Sequence, residues 1–140
     1  MAGLDPRLAA DTIEIGCFTL CRLLLMNDAN YPWFILVPQR EHITEIYQLN
    51  EQDQQRLAQE SSQLAGSLAQ GFAADKINIA ALGNVVPQLH IHHIVRYRND
   101  PVWPAPVWGR LPAIPYTDDA LRDVVEVLKP LLGKCVQFTR

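Results

Sequence analysis

Val86-Pro87-Gln88-Leu89-His90-Ile91-His92-His93-Ile94-Val95-Arg96 holds three of the four histidines of the chain within four consecutive residues. Side chains alternate between the faces of a strand, so Gln88, His90 and His92 share one face while Leu89, Ile91, His93 and Val95 share the other. The aliphatic face is expected to pack against helices, with His93 a structural member of it, and the Gln–His–His face to form a polar floor. Imidazoles two residues apart have two chemical uses. They can share a metal ion, although no carboxylate follows until Asp100, so His42 or a cysteine would have to complete the shell. Alternatively, one ring attacks as a nucleophile while its neighbour fixes tautomer and charge. Two strand histidines with no chemical role are the third reading, and the residues alone leave all three open.

Outward from this segment the order of elements is α+β. Lys76–Leu82 reads as a strand joined to Leu89–Tyr97 through Gly83-Asn84-Val85-Val86-Pro87. Upstream, the apolar runs Phe18–Met26 and Trp33–Val37 flank the turn-formers Asn27-Asp28-Ala29-Asn30-Tyr31-Pro32, which predicts an antiparallel hairpin ending at Pro38. Between the hairpins, Asn50 as N-cap and the stripe Leu57, Leu64, Leu68, Phe72 predict a long amphipathic helix over Glu51–Phe72. Residues 100–115 carry five prolines and two tryptophans and read as an ordered, extended loop. Thr117 caps a final helix whose buried stripe includes Leu121, Val124, Val125 and Leu128, with Pro130 expected to kink or end it and Gly133 to stop it. One mostly antiparallel sheet carrying helices on a face follows from that order, and a doubly wound fold does not.

Composition narrows the function classes. The chain has 140 residues, enough for one domain with a single core, and a formal net charge of -3, which argues against general nucleic-acid binding. No apolar run is long enough to span a bilayer and no basic, apolar leader opens the chain, so neither a membrane nor a secretory route is expected and the location is expected to be cytoplasmic. Cys17, Cys21 and Cys135 are odd in number and lack a C-x-x-C pair, so they read as free thiols.

The segment 83–96 resembles the histidine triad (HIT) family, whose motif is His-φ-His-φ-His-φ-φ with φ apolar. It is similar to a bacterial branch of that family with the pattern G-N-x-V-P-H-L-H-x-H, matched here by Gly83-Asn84-Val85-Val86-Pro87-Gln88-Leu89-His90-Ile91-His92. Leu24-Leu25-Met26-Asn27-Asp28 with Trp33–Pro38 looks like the family's nucleotide-binding hairpin. Arg40-Glu41-His42-Ile43 looks like its following turn, and Asp100–Trp108 like the segment after the triad. The resemblance runs from about Leu20 to Trp108 and implies a single HIT-like domain over residues 1–140, with a five-stranded antiparallel sheet, one long and one C-terminal helix, and a homodimeric assembly.

The resemblance also implies a chemistry. His90, as the middle member, would attack the α-phosphate of a purine nucleotide or dinucleotide and form a nucleotidyl-histidine, with no metal or cofactor. His92 would orient it, and Gln88 would occupy the remaining catalytic position. Asn84 matches a donor to the α-phosphate, Asn27 and Asp28 match positions around the ribose, and His42 matches a histidine near the phosphates, although it equally fits a solvent-facing turn. Trp103 and Trp108 could wall the base pocket or anchor the proline-rich loop, and Arg96, Arg98 and Arg110 could meet phosphate or solvent. Gln88 departs from the motif, because an amide hydrogen-bonds but gives no proton to a leaving oxygen. Good leaving groups, as in a dinucleoside polyphosphate, would still react, whereas phosphoramidates would react poorly. The rival expectations are a purine-nucleotide binding protein with little turnover and a metal-dependent hydrolase built on His90, His92 and His42.

Overall fold

The computed structural model describes residues 3–140; Met1 and Ala2, part of the N-terminus read above as lacking a leader, lie outside the described residues. The fold is α+β. Two apolar strands, β2 (Cys21–Met26) and β3 (Trp33–Pro38), pair antiparallel with Leu24 opposite Ile35. Their turn closes on itself because Asp28 Oδ1 accepts from both the backbone N–H and the side-chain amide of Asn30. β1 (Thr12–Cys17) adds to β2, and β5 (Ile91–Arg96) adds to β3 with His92 opposite Ile35. β4 (Lys76–Ala80) pairs with β5 on its other side.

The expected five strands are joined by a sixth, the two-residue β6 (Gln137–Phe138), so the sheet order is β4-β5-β3-β2-β1-β6. β6 lies so close to β1 that a Cβ on Gly16 would stand 2.4 Å from the Gln137 carbonyl oxygen, which accounts for glycine there. A two-residue strand has no periodicity to read, so its sequence carried no signal.

The long helix α2 spans Glu51–Phe72, with Asn50 Oδ1 accepting from the Asp53 N–H. α3 (Asp118–Leu132) is capped by Thr117 and runs through Pro130 to end at Gly133. Pro130 lacks the N–H that would bond four residues back, and the helix ends within three residues of it. Leu57, Leu64 and Leu68 of α2 and Val125, Leu128 and Leu132 of α3 bury one face of the sheet, meeting Leu23, Leu25, Phe34, Leu36, Ile91 and Val95. Glu60 of α2 is also buried, and its carboxylate accepts from the backbone N–H groups of Leu20 and Cys21, which satisfies the charge and ties the helix to the β1–β2 turn.

The opposite face is not the open polar floor expected from alternation. Leu24, Trp33, Ile35, Val37 and Ile94 pack there with Leu8 of a short helix α1 (Pro6–Asp11), with Val86 and with Val107. Every residue of β5 is therefore buried, on both faces. No helix among the described residues is long and apolar enough to cross a membrane.

Candidate active site

His90 lies just before β5 begins, where the chain leaves the loop Gly83–Leu89. That loop turns at Gly83, whose φ of 81° is a left-handed value that favours glycine. His90 is buried and its Nδ1 lies 2.7 Å from the Gln88 carbonyl oxygen. A carbonyl only accepts, so Nδ1 carries the proton and Nε2 carries the lone pair. Backbone geometry, rather than an acidic side chain, thus fixes the tautomer.

His92 has the opposite tautomer. The Trp33 indole N–H, which can only donate, points 3.0 Å from His92 Nδ1, so the proton of the neutral ring sits on Nε2. Burial, then the neighbouring His90 and His93, push the His92 pKa down to about 3. A neutral Nε2–H donor therefore stands beside a ring with a free Nε2, the two ring centroids 4.9 Å apart. His93 points to the helix face, where its Nε2 meets Ser61 Oγ at 2.7 Å and its Nδ1 donates to the Ile91 carbonyl. Burial holds its pKa down to about 4, and its expected structural place is where it is found.

The His90 and His92 rings open onto a cleft of about 220 Å³ bordered by Asp11, Met26, Trp33, Gly83, Asn84, Val86 and Trp108. Asp11, Met26, Trp33 and Trp108 also border a second hollow of about 350 Å³ that touches Asn27 and Asp28. Trp108 stands edge-on to Trp33 and to His92, at 5.9 Å and 5.2 Å between centroids. The result is an aromatic slot leading from two polar imidazoles, a form suited to a flat heterocycle carrying phosphate.

The other sequence-predicted residues separate into two groups. Asn84 is on the exposed rim of the slot. Asn27 and Asp28 border it but also hold its wall, since Asn27 Oδ1 accepts from the Tyr116 N–H and Asp28 Oδ1 from the Ile114 N–H. His42 and Trp103 are placed elsewhere, and Gln88 borders a small hollow with Gly83 and His90. His42, exposed and at φ 59°, borders a separate groove with Gly3, Asp5, Arg40 and Gln88. The Gln88 amide is engaged by the N-terminal backbone at Gly3 and Asp5.

Trp103 packs 5.6 Å from the Arg96 guanidinium instead of walling the slot, and Trp108 takes that place. Arg96 meets neither phosphate nor solvent: it is fully buried and forks onto Asp100 at 2.8 and 3.1 Å. Asp11 is a bordering residue that sequence reasoning missed, and Trp33, read only as part of the nucleotide-binding hairpin, also holds His92. Trp33 looked like a core residue of an apolar strand, and only its pairing partner two residues out of register with His92 reveals the indole–imidazole contact. Among the described residues no group of three or more His, Cys, Asp or Glu side chains is arranged to hold a metal ion.

The sequence profile of the HIT domain matches residues 7–99. The chain belongs to the histidine triad family. A histidine triad protein from Marinobacter aquaeolei VT8 is 53% identical, with a TM-score of 0.93 over 96% of this chain and 98% of that one. A histidine triad (HIT) protein from Sinorhizobium meliloti 1021 is 45% identical (TM-score 0.92, covering 94% and 98%). A histidine triad protein from Bradyrhizobium japonicum is 42% identical (TM-score 0.90, covering 92% and 96%). No curated protein matches the chain significantly. HIT proteins generally act on nucleotides, and the aromatic slot of this HIT domain is consistent with that use.

Proposed function

We propose that this HIT protein is a nucleotide hydrolase or nucleotidyl transferase that cleaves a phosphoanhydride at the α-phosphate through a nucleotidyl-histidine on His90, with a dinucleoside polyphosphate as the type of substrate. The observation that carries this reading is the pair of opposed tautomers: a backbone-fixed free Nε2 on His90 next to an indole-fixed Nε2–H on His92. The His90 lone pair attacks phosphorus, the bond from phosphorus to the bridging oxygen breaks, and the leaving phosphate keeps that electron pair. Water, or another acceptor hydroxyl, then attacks the same phosphorus, the phosphorus–nitrogen bond breaks with its electron pair returning to His90 Nε2, and the acceptor's proton passes to solvent. The neutral His92 donor stabilises charge on the phosphoryl oxygens without needing to be protonated. Asn84 and the Gly83–Val86 backbone form the phosphate cradle, Asn27 and Asp28 adjoin the ribose, and the Trp33–Trp108 slot takes a purine base.

Gln88 lends a second reading its weight. Its amide is already committed to backbone partners, so no acid stands at that position, and slow turnover would leave a purine-nucleotide binding protein. The proposal extends to a single domain acting in the cytoplasm as a homodimer. The outer edge of β4, with Ile79 half exposed, supplies an unpaired strand edge for a second copy.

Dinucleoside polyphosphates, nucleotide sugars and nucleoside phosphoramidates, each with and without chelator, test the reading. The native protein is expected to turn over the anhydrides fastest and to trap one nucleotidyl group by mass. His90→Ala is expected to lose both the adduct and at least about 10³-fold in rate while still binding adenosine monophosphate. An undiminished rate in His90→Ala would defeat the mechanism, and binding without turnover by the native chain would favour the second reading.

A further inference from the structure

Gln88 makes two side-chain hydrogen bonds, both to backbone more than eighty residues away. Its Oε1 accepts from the Asp5 N–H at 2.7 Å and its Nε2 donates to the Gly3 carbonyl at 2.9 Å. We propose that Gln88 is a positioning residue whose amide clips the N-terminal arm, Gly3–Asp5, to the loop that leads into His90 and thereby sets one wall of the nucleotide slot. The inference rests on the nucleotide reading above and adds a role for the residue that breaks the triad.

The arm leads directly into that wall. Asp5 caps α1 through its bond from the Arg7 N–H, Leu8 is buried on the Trp33 side of the sheet, and Asp11 borders the slot itself. Leu4 packs on the same apolar cluster, so among the described residues the clip and one partly buried leucine tie down the chain ahead of α1. An amide suits this task for a physical reason. It presents one donor and one acceptor in a plane at every ordinary pH, matching a backbone carbonyl and N–H together. A histidine in its place would, once protonated, turn two donors toward partners that include the Asp5 N–H, and would release the arm in acid. The missing acid and the pinned arm are then one exchange: proton donation is lost and a pH-insensitive wall is gained.

Amide hydrogen exchange and calorimetry with adenosine monophosphate test the clip on the full chain. In Gln88→Ala the Asp5 amide is expected to exchange roughly 5- to 100-fold faster, from loss of a hydrogen bond of ordinary strength. The dissociation constant for adenosine monophosphate is expected to rise about threefold or more, with the dependence of kcat on leaving-group pKa unchanged. Asp5→Pro attacks the same bond from its other end, since a φ of -51° at Asp5 accepts proline, and Asp5→Ala controls for the lost cap. Asp5→Pro is expected to weaken nucleotide binding beyond Asp5→Ala.

Native-like exchange and affinity in Gln88→Ala would overturn the proposal. So would unchanged affinity with a steeper leaving-group dependence, because Gln88 would then serve the leaving group directly. If the native protein binds no adenosine monophosphate, the nucleotide reading itself falls and takes the wall's role with it; the Asp5 exchange rate separates that failure from failure of the clip.

Discussion

At the scale of single residues, the site is defined by where two protons sit. His90 is set by a carbonyl and His92 by an indole, and exchanging either partner should scramble a tautomer without moving a strand. Trp33→Phe keeps the ring in the slot but removes the donor to His92 Nδ1. The His92 ring is then expected to populate both neutral tautomers, visible as a mixed pattern in nitrogen–proton correlation spectra, and turnover is expected to fall about twofold, in proportion to the donor population lost. A single Nε2–H tautomer surviving in Trp33→Phe would show that something other than the indole fixes it. The two rings were legible beforehand, and the groups that fix their protons were not. The motif pointed to His90 and His92, but the Trp33 contact depends on strand pairing, which no local pattern in 33–37 encodes.

At the scale of elements, β5 buries two neutral histidines on opposite faces, His92 toward the slot and His93 toward Ser61 of α2. Both have folded pKa values below the ordinary value of about 6.5 that the unfolded chain would show. Between about pH 6.5 and 4 the unfolded chain therefore binds more protons than the folded one, and stability falls as pH falls through that window, by up to about 1.4 kcal/mol per pH unit for each histidine. Urea midpoints at pH 7, 6 and 5 should decline together, and His93→Phe should flatten the decline; a flat native profile would refute the buried-neutral assignment. The elements themselves were unevenly legible. α2 could be read from its Asn50 cap and leucine stripe because a 22-residue helix repeats its signal many times. α1 could not, since six residues make under two helical turns, nor could β6 with two residues; β1 does alternate, Ile13, Ile15 and Cys17 against Thr12, Glu14 and Gly16, and was readable but unread, and β5 was placed too early because Leu89 and His90 alternate like strand residues while pairing with no neighbouring strand.

For the whole molecule, the wall that carries Trp108 is a long loop fastened at both ends. At the C-terminal end, Asn27 and Asp28 of the β2–β3 turn hold the backbone of Tyr116 and Ile114. At the start, Asp100 receives the buried Arg96 fork and also accepts from the N–H groups of Tyr97, Val102 and Trp103, while Arg96 reaches Asn78 of β4 and lies 5.8 Å from the Tyr31 ring. A basic residue closing a histidine strand suggested phosphate or solvent, and only the fold shows that its partner is four residues on and inside. Asp100→Ala leaves the buried guanidinium without its carboxylate and three amides without their acceptor, so a loss of about 3–5 kcal/mol in urea unfolding is expected. Adding Arg96→Met removes the stranded charge and should recover part of that loss. Because Trp108 hangs between the two fastenings, Asp100→Ala should also weaken adenosine monophosphate binding at a position that never touches the ligand. A stability loss under about 1 kcal/mol, or one that Arg96→Met only deepens, would mean that the pair is not what anchors the loop.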